Sequence, residues 1–222
     1  MPDKAKGSYY ANPQYDRPVD DEALIAQHAP FIHPNIWPTE DCPDMEPAFK
    51  ALGQLIVSVG ELVARQCDIY VKKHCPTYNN SLEQTVNTSR CCKARLLHYF
   101  PLSEDEARHL QEANQSHDPF SSWCGWHNDH GSLTGLASAM YLDADRNEVK
   151  NPDPESGLVI SILAVRADIF LLGLYIRNRR SELVKVTIPQ NHIAFQIGET
   201  AQIHSGGLLQ VQLAVHCVMI CN

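Results

Sequence analysis

From Asp44 onward, apolar side chains recur at intervals of three and four residues, at Met45, Phe49, Leu52, Leu55, Ile56, Val59, Leu62 and Val63. That period predicts an amphipathic helix reaching about Lys73, with one apolar stripe for a core to cover. Upstream, residues 1–43 are rich in proline, tyrosine and aspartate and hold no sustained period, so they read as extended chain wrapped over the core. Downstream, "KARLLHYFP" reads as a strand ending at Pro101, and Ser103 with Glu106 three residues on makes a capping-box start for a short helix.

After Pro119 the apolar runs shorten and are cut by Gly, Pro, Asn and Asp: "SSWCGWHND", "LTGLASAMYL", "LVISILAV", "IFLLGLYI", "LVKVTI", "IAFQI", "TAQIH" and "LLQVQLAVHCV". Each reads as a strand, and many short strands at this spacing predict a sandwich or barrel. A chain of 222 residues is long enough for one sizeable core. The organisation expected is one domain over 1–222: an extended wrap over 1–43, helical support with one strand over 44–118, and the β core over 119–222.

Charge narrows the partners. Eighteen basic against 26 acidic residues leave a net charge of -8, and that field repels phosphate backbones and anionic lipid heads, so no nucleic acid and no membrane is expected. The longest apolar region, Leu158 to Ile176, is interrupted by Arg166 and Asp168 and reads as two buried strands, not a bilayer span. The amino terminus lacks the apolar core of a signal peptide, so a cytoplasmic setting is expected. The eight cysteines include no C-x-x-C pair and read as reduced thiols.

Candidate chemistry concentrates in "GWHNDHGSLTGL", Gly125 to Leu136. On a strand, His127 and Asp129 lie on one face, about 7 Å apart at the α-carbons, with Asn128 facing away. By chance alone, a chain with 11 histidines should hold about 0.7 H-x-D pairs, so the motif by itself decides little. A mononuclear iron site needs two histidines and one carboxylate on one triangular face, leaving positions open for oxygen and an organic ligand. The residues alone leave His192, His204 and His216 as candidates for the second histidine. His130 points away from Asp129 by alternation, His192 in "PQNH" reads as a turn residue, and the cluster Arg177, Arg179 and Arg180 reads as a solvated hairpin turn.

"WHNDHGSLTGL", then "IAFQIGETAQIHSGG", then "HCV", preceded in order by "KGSYYANP", "NIWP" and "HYFP", resembles the Fe(II)- and 2-oxoglutarate-dependent dioxygenases, in particular the isopenicillin N synthase-like branch. The likeness runs over nearly the whole chain. It implies a mainly β fold with N-terminal helices, built on the double-stranded β-helix (jelly roll). It also implies Fe(II) held by His127, Asp129 and His216, with His204 in reserve. It places 2-oxoglutarate as cosubstrate near Tyr99, with Arg95 four residues earlier on the same strand face, and O2 and a small organic molecule as the other reactants. The implied reaction oxidises a C–H bond and yields succinate and CO2.

Two departures carry expectations of their own. In the family an R-x-S strand follows the distal histidine by about ten residues, whereas this chain ends at Asn222, so the C-terminal strand is expected to be missing. The interval from "SGG" to His216 is two residues longer than the family's, which would slide His216 by about 7 Å along its strand unless a bulge absorbs it. These departures raise a second reading, a truncated, inactive or weakly active dioxygenase-like protein acting only by binding. A third, a zinc-binding β-barrel, lacks a thiolate pair near the histidines.

Overall fold

The structure, a computed structural model, describes residues 6–99, 124–140, 142, 146–148 and 173–217. The helix expected after Ser103, the strand "LVISILAV", the first part of "IFLLGLYI" and the pair Arg166 and Asp168 lie outside the described residues.

The opening segment is not extended throughout. Lys6–Ala11 forms β1 and pairs antiparallel with β2, Ala94–Tyr99, from Lys6 opposite Tyr99 to Ala11 opposite Ala94. Two short helices follow, α1 (Glu22–Gln27) and α2 (Ala29–Ile32). Asp21 starts α1 by accepting from the amides of Ala23 and Leu24, a cap too local to show in a periodicity. Residues between these elements do wrap. Buried Asn12 accepts from the amides of Gln14 and Tyr15, donates to the Arg90 carbonyl, and exchanges bonds with Asn35.

The periodic stretch forms α3, Met45–His74, one residue beyond the expected end. It packs on α4 (Leu82–Thr88), which no apolar period announced. The cause is tertiary: buried Asp68, on α3, accepts from the Leu82 amide at 2.9 Å, the Glu83 amide at 3.0 Å, the Ser81 hydroxyl at 2.8 Å and the Tyr78 hydroxyl at 3.2 Å. Burial alone would raise that carboxyl's pKa, but the four donors hold it below its ordinary value, while Tyr78 is pushed up to about 12 by burial and the facing charge.

Among the described residues the further strands are β3 (Cys124–His127), β4 (Leu133–Ala137), β5 (Gly173–Arg177), β6 (Leu183–Val186), β7 (Ile193–Ile197) and β8 (Leu213–Cys217). They form a four-stranded antiparallel sheet in the order β3-β8-β5-β6 and a two-stranded sheet of β4 and β7. The turn from β5 to β6 is the expected hairpin, closed by Asn178 accepting from the amides of Arg180 and Glu182. α3 lies across β4 and β7. A Cβ on Gly135 would sit 2.3 Å from the Ile56 Cγ2, so the helix approaches this closely only because β4 has glycine there.

One expected strand is a helix. "TAQIH" lies in α5, Glu199–His204, where Ala201 is buried with Ala64, Val71, Leu82 and Leu209. Five residues alternating in polarity fit either period, and here the small side chain at 201 facing α3 decides for the helix. The strand expected across "LLQVQLAVHCV" begins only at Leu213. Leu208 and Leu209 turn into the core instead, with the Leu209 amide on Ser205 Oγ and the Val211 amide on Gln202 Oε1.

Candidate metal centre

β3 ends at His127, and residues 128–132 carry the chain from the four-stranded sheet to β4 in the other. His127 Nε2 and Asp129 Oδ1 stand 3.8 Å apart, with side chains 38% and 28% exposed. Two cis donors each about 2.1 Å from one ion stand about 3 Å apart, so these two atoms have to close by about 0.8 Å to share an ion on one face of it. Partial exposure leaves room for further ligands.

Strand register sets where position 216 lies relative to this pair. His127 lies opposite Ala214 on β8, while Cys124 lies opposite His216, so three steps on β3 match two on β8. That is a bulge of one residue. Without it, Cys124 opposite His216 would set His127 opposite Leu213, on the other side of the sheet from position 216. With it, positions 127 and 216 fall on one side, as diagonal neighbours about 7–8 Å apart at the α-carbons. A two-histidine, one-carboxylate iron site needs a second histidine beside such an imidazole–carboxylate pair, and position 216 lies on the same side of the sheet as His127.

Among the described residues no three His, Cys, Asp or Glu side chains gather as a metal-binding group, so His204, exposed at the end of α5, does not complete one with His127 and Asp129. His192 is a turn residue whose Nδ1 meets the Gln190 carbonyl at 3.0 Å. On β2, the Arg95 guanidinium donates to Ser8 Oγ at 2.7 Å and lies 5.1 Å from the centre of the Tyr10 ring. β2 pairs with β1 and not with the four-stranded sheet, and Tyr99 sits at its end opposite Lys6. Arg177 lies 4.9 Å from the Trp126 ring centre and donates to the Ser181 carbonyl.

Residues that the H-x-D motif does not announce hold its loop. The amide of Glu199 donates to the Asp129 carbonyl at 2.8 Å, and its carboxylate accepts from Asn128 Nδ2 at 3.1 Å and meets His130 Nδ1 at 2.6 Å. A carboxylate only accepts, so His130 carries the hydrogen on Nδ1. These hydrogen bonds, His130 first and Asn128 second, hold the Glu199 carboxyl below its ordinary pKa. Thr200 donates from Oγ1 to the His130 carbonyl and from its amide to the Gly131 carbonyl. A Cβ on Gly198 would lie 2.0 Å from the Gly131 carbonyl oxygen, so this contact requires glycine. The sequence signal was "IGET" after the strand "IAFQI", where a glycine and an acidic residue follow a strand end.

No family model and no curated protein matches the sequence. Solved structures do. A 2OG-Fe(II) oxygenase family protein from Caulobacter crescentus superposes with a TM-score of 0.56 at 16% identity, over 95% of this chain and 50% of the other. An oxygenase from Shewanella oneidensis gives 0.51 at 12%, over 96% and 55%. A full-length Neurospora crassa protein in complex with alpha-KG gives 0.51 at 15%, over 96% and 48%. The chain spans about half the length of these structures. At such identities the likeness is one of architecture, and the fold of this chain is the fold of the 2OG-Fe(II) oxygenase family proteins.

Proposed function

We propose that the protein is a non-haem Fe(II)- and 2-oxoglutarate-dependent oxygenase that oxidises a small organic molecule. The observation that carries this reading is the pairing of His127 Nε2 with Asp129 Oδ1 at 3.8 Å beside the strand that bears His216. The shared fold and a neighbour's complex with alpha-KG support it. The order of "KGSYYANP", "NIWP" and "HYFP" favours the isopenicillin N synthase-like branch, and the many-stranded antiparallel arrangement favours the jelly roll.

His127, Asp129 and His216 would hold the iron, which with 2-oxoglutarate and O2 supplies C–H oxidation coupled to release of succinate and CO2. Asp129 offsets part of the cation's charge, and the imidazole of His127 binds in its neutral form. Gly198, Glu199 and Thr200 hold the loop between these two ligands in place. The far carboxylate of the cosubstrate calls for a planar fork of donors. Tyr99 and Arg95 are the candidates, and Arg95 would have to exchange the Ser8 hydroxyl for that carboxylate.

The test is succinate formation coupled to O2 uptake by the Fe(II)-loaded chain supplied with 2-oxoglutarate. Slow succinate release without added substrate is expected, and its loss in His127→Ala together with the bound iron. A folded, iron-loaded sample that makes no succinate would overturn the proposal in favour of a protein that only binds.

A further inference from the structure

Asp129 is the one proposed ligand that stands on a loop, and a loop ligand must be held by something other than a strand ladder. One residue touches the chain on each side of it and at it. The Glu199 carboxylate takes the Asn128 amide on one oxygen and the His130 ring on the other, while its own N–H binds the Asp129 carbonyl. Three consecutive residues are thereby tied to a single position on α5. α5 is itself anchored: Ala201, two residues on, is buried in the core cluster with Ala64 and Val71 of α3. The path from core to loop is short.

From this bracket we propose that Glu199 is the positioning residue for the Asp129 carboxylate, holding it at bonding distance from the ion that His127 shares. The proposal rests on the iron-site reading above. Side-chain contacts on both flanks limit rotation of the 128–130 backbone, which would otherwise let the carboxylate swing away from His127 toward solvent. The backbone bonds from Gly198, Glu199 and Thr200 do not depend on the carboxylate. Removing it should loosen the ligand while leaving the loop attached and the chain folded.

Co(II) is the probe, because its visible d–d bands report ligand geometry without turnover. The full chain, Glu199→Ala and Glu199→Gln are each titrated anaerobically, with circular dichroism as the check on folding. Outer partners of metal ligands typically carry about 10–100-fold in affinity, so Glu199→Ala should raise the Co(II) dissociation constant by about that factor and shift the bands. Glu199→Gln, which keeps one acceptor oxygen, should fall between the two, and it carries the comparison if the alanine variant does not fold. A purely structural role would lower thermal stability and leave affinity and bands unmoved in the folded variants, which would defeat the proposal alone. A wild-type chain that takes up no Co(II) would defeat the iron-site reading, and this proposal with it.

Discussion

Gly198 occupies the tightest point of the candidate site. A methyl group there would meet backbone, the Gly131 carbonyl oxygen at 2.0 Å and the Asp129 carbonyl oxygen at 2.9 Å, and backbone cannot swing aside as a flexible side chain can. Gly198→Ala is therefore expected to cost about 1–3 kcal/mol of stability, the range for overpacking a close contact. It should also separate Glu199 from the loop it holds. Denaturant unfolding gives the first effect and Co(II) affinity the second. A variant as stable as wild type would show that the loop can retreat without strain. Gly135, on the β4 strand that pairs with β7, is a second such position, where glycine lets α3 settle against β4.

At the scale of elements, the junction of α3 and α4 holds a buried carboxylate beside the packing of Ala64 and Val71 against Leu82 and an Arg65–Glu83 ion pair. Asp68 caps α4 from outside it, and Asp68→Ala would leave the Leu82 and Glu83 amides without that acceptor. A lost cap and buried donors left unpaired together amount to about 2–3 kcal/mol, read from the denaturation midpoint. The pH dependence has a definite sign. Asp68 has its folded pKa lowered, so its contribution is present above the ordinary carboxylate value and fades as pH falls through the lowered one. Tyr78, raised from 10.0 to about 12, contributes below pH 10.0 and loses that contribution as pH climbs toward 12. Stability of this junction should hold between those limits, and Asp68→Ala should flatten the acid limb of a stability-against-pH curve.

In the pairing of β3 with β8, one residue of register decides which side of the sheet a histidine occupies. The bulge between Cys124 and His127 changes which side of the sheet His127 occupies relative to position 216. A deletion that made β3 regular would turn His127 to the face that carries Arg177 and Leu213.

For the whole molecule, ligand binding should appear as stability. An ion and cosubstrate that bind the folded chain and not the unfolded one add about 2.7 kcal/mol at a hundredfold excess over the dissociation constant. Mn(II) with 2-oxoglutarate should thus raise the melting temperature, chelation should reverse the rise, and His127→Ala should abolish it. An unchanged melting temperature at saturating concentrations of both would count against binding at this site.

Long periodic elements and the strands flanked by turn residues were legible in the residues themselves. α3 was announced by apolar side chains at helical spacing, and β2, β4, β6 and β7 by short apolar runs between breakers. The opposite held for elements whose reason lies elsewhere in the chain: α4 is capped by Asp68, and α5 is set by the fit of Ala201 against α3. Of the candidate site, the sequence by itself determined the residue types, His127, Asp129 and a later histidine. Only the tertiary structure decided the side of the sheet that positions 127 and 216 share and the hold on the loop of Asp129, because the face a strand residue occupies depends on its partner's register, and this loop is held by contacts from a helix about seventy residues away.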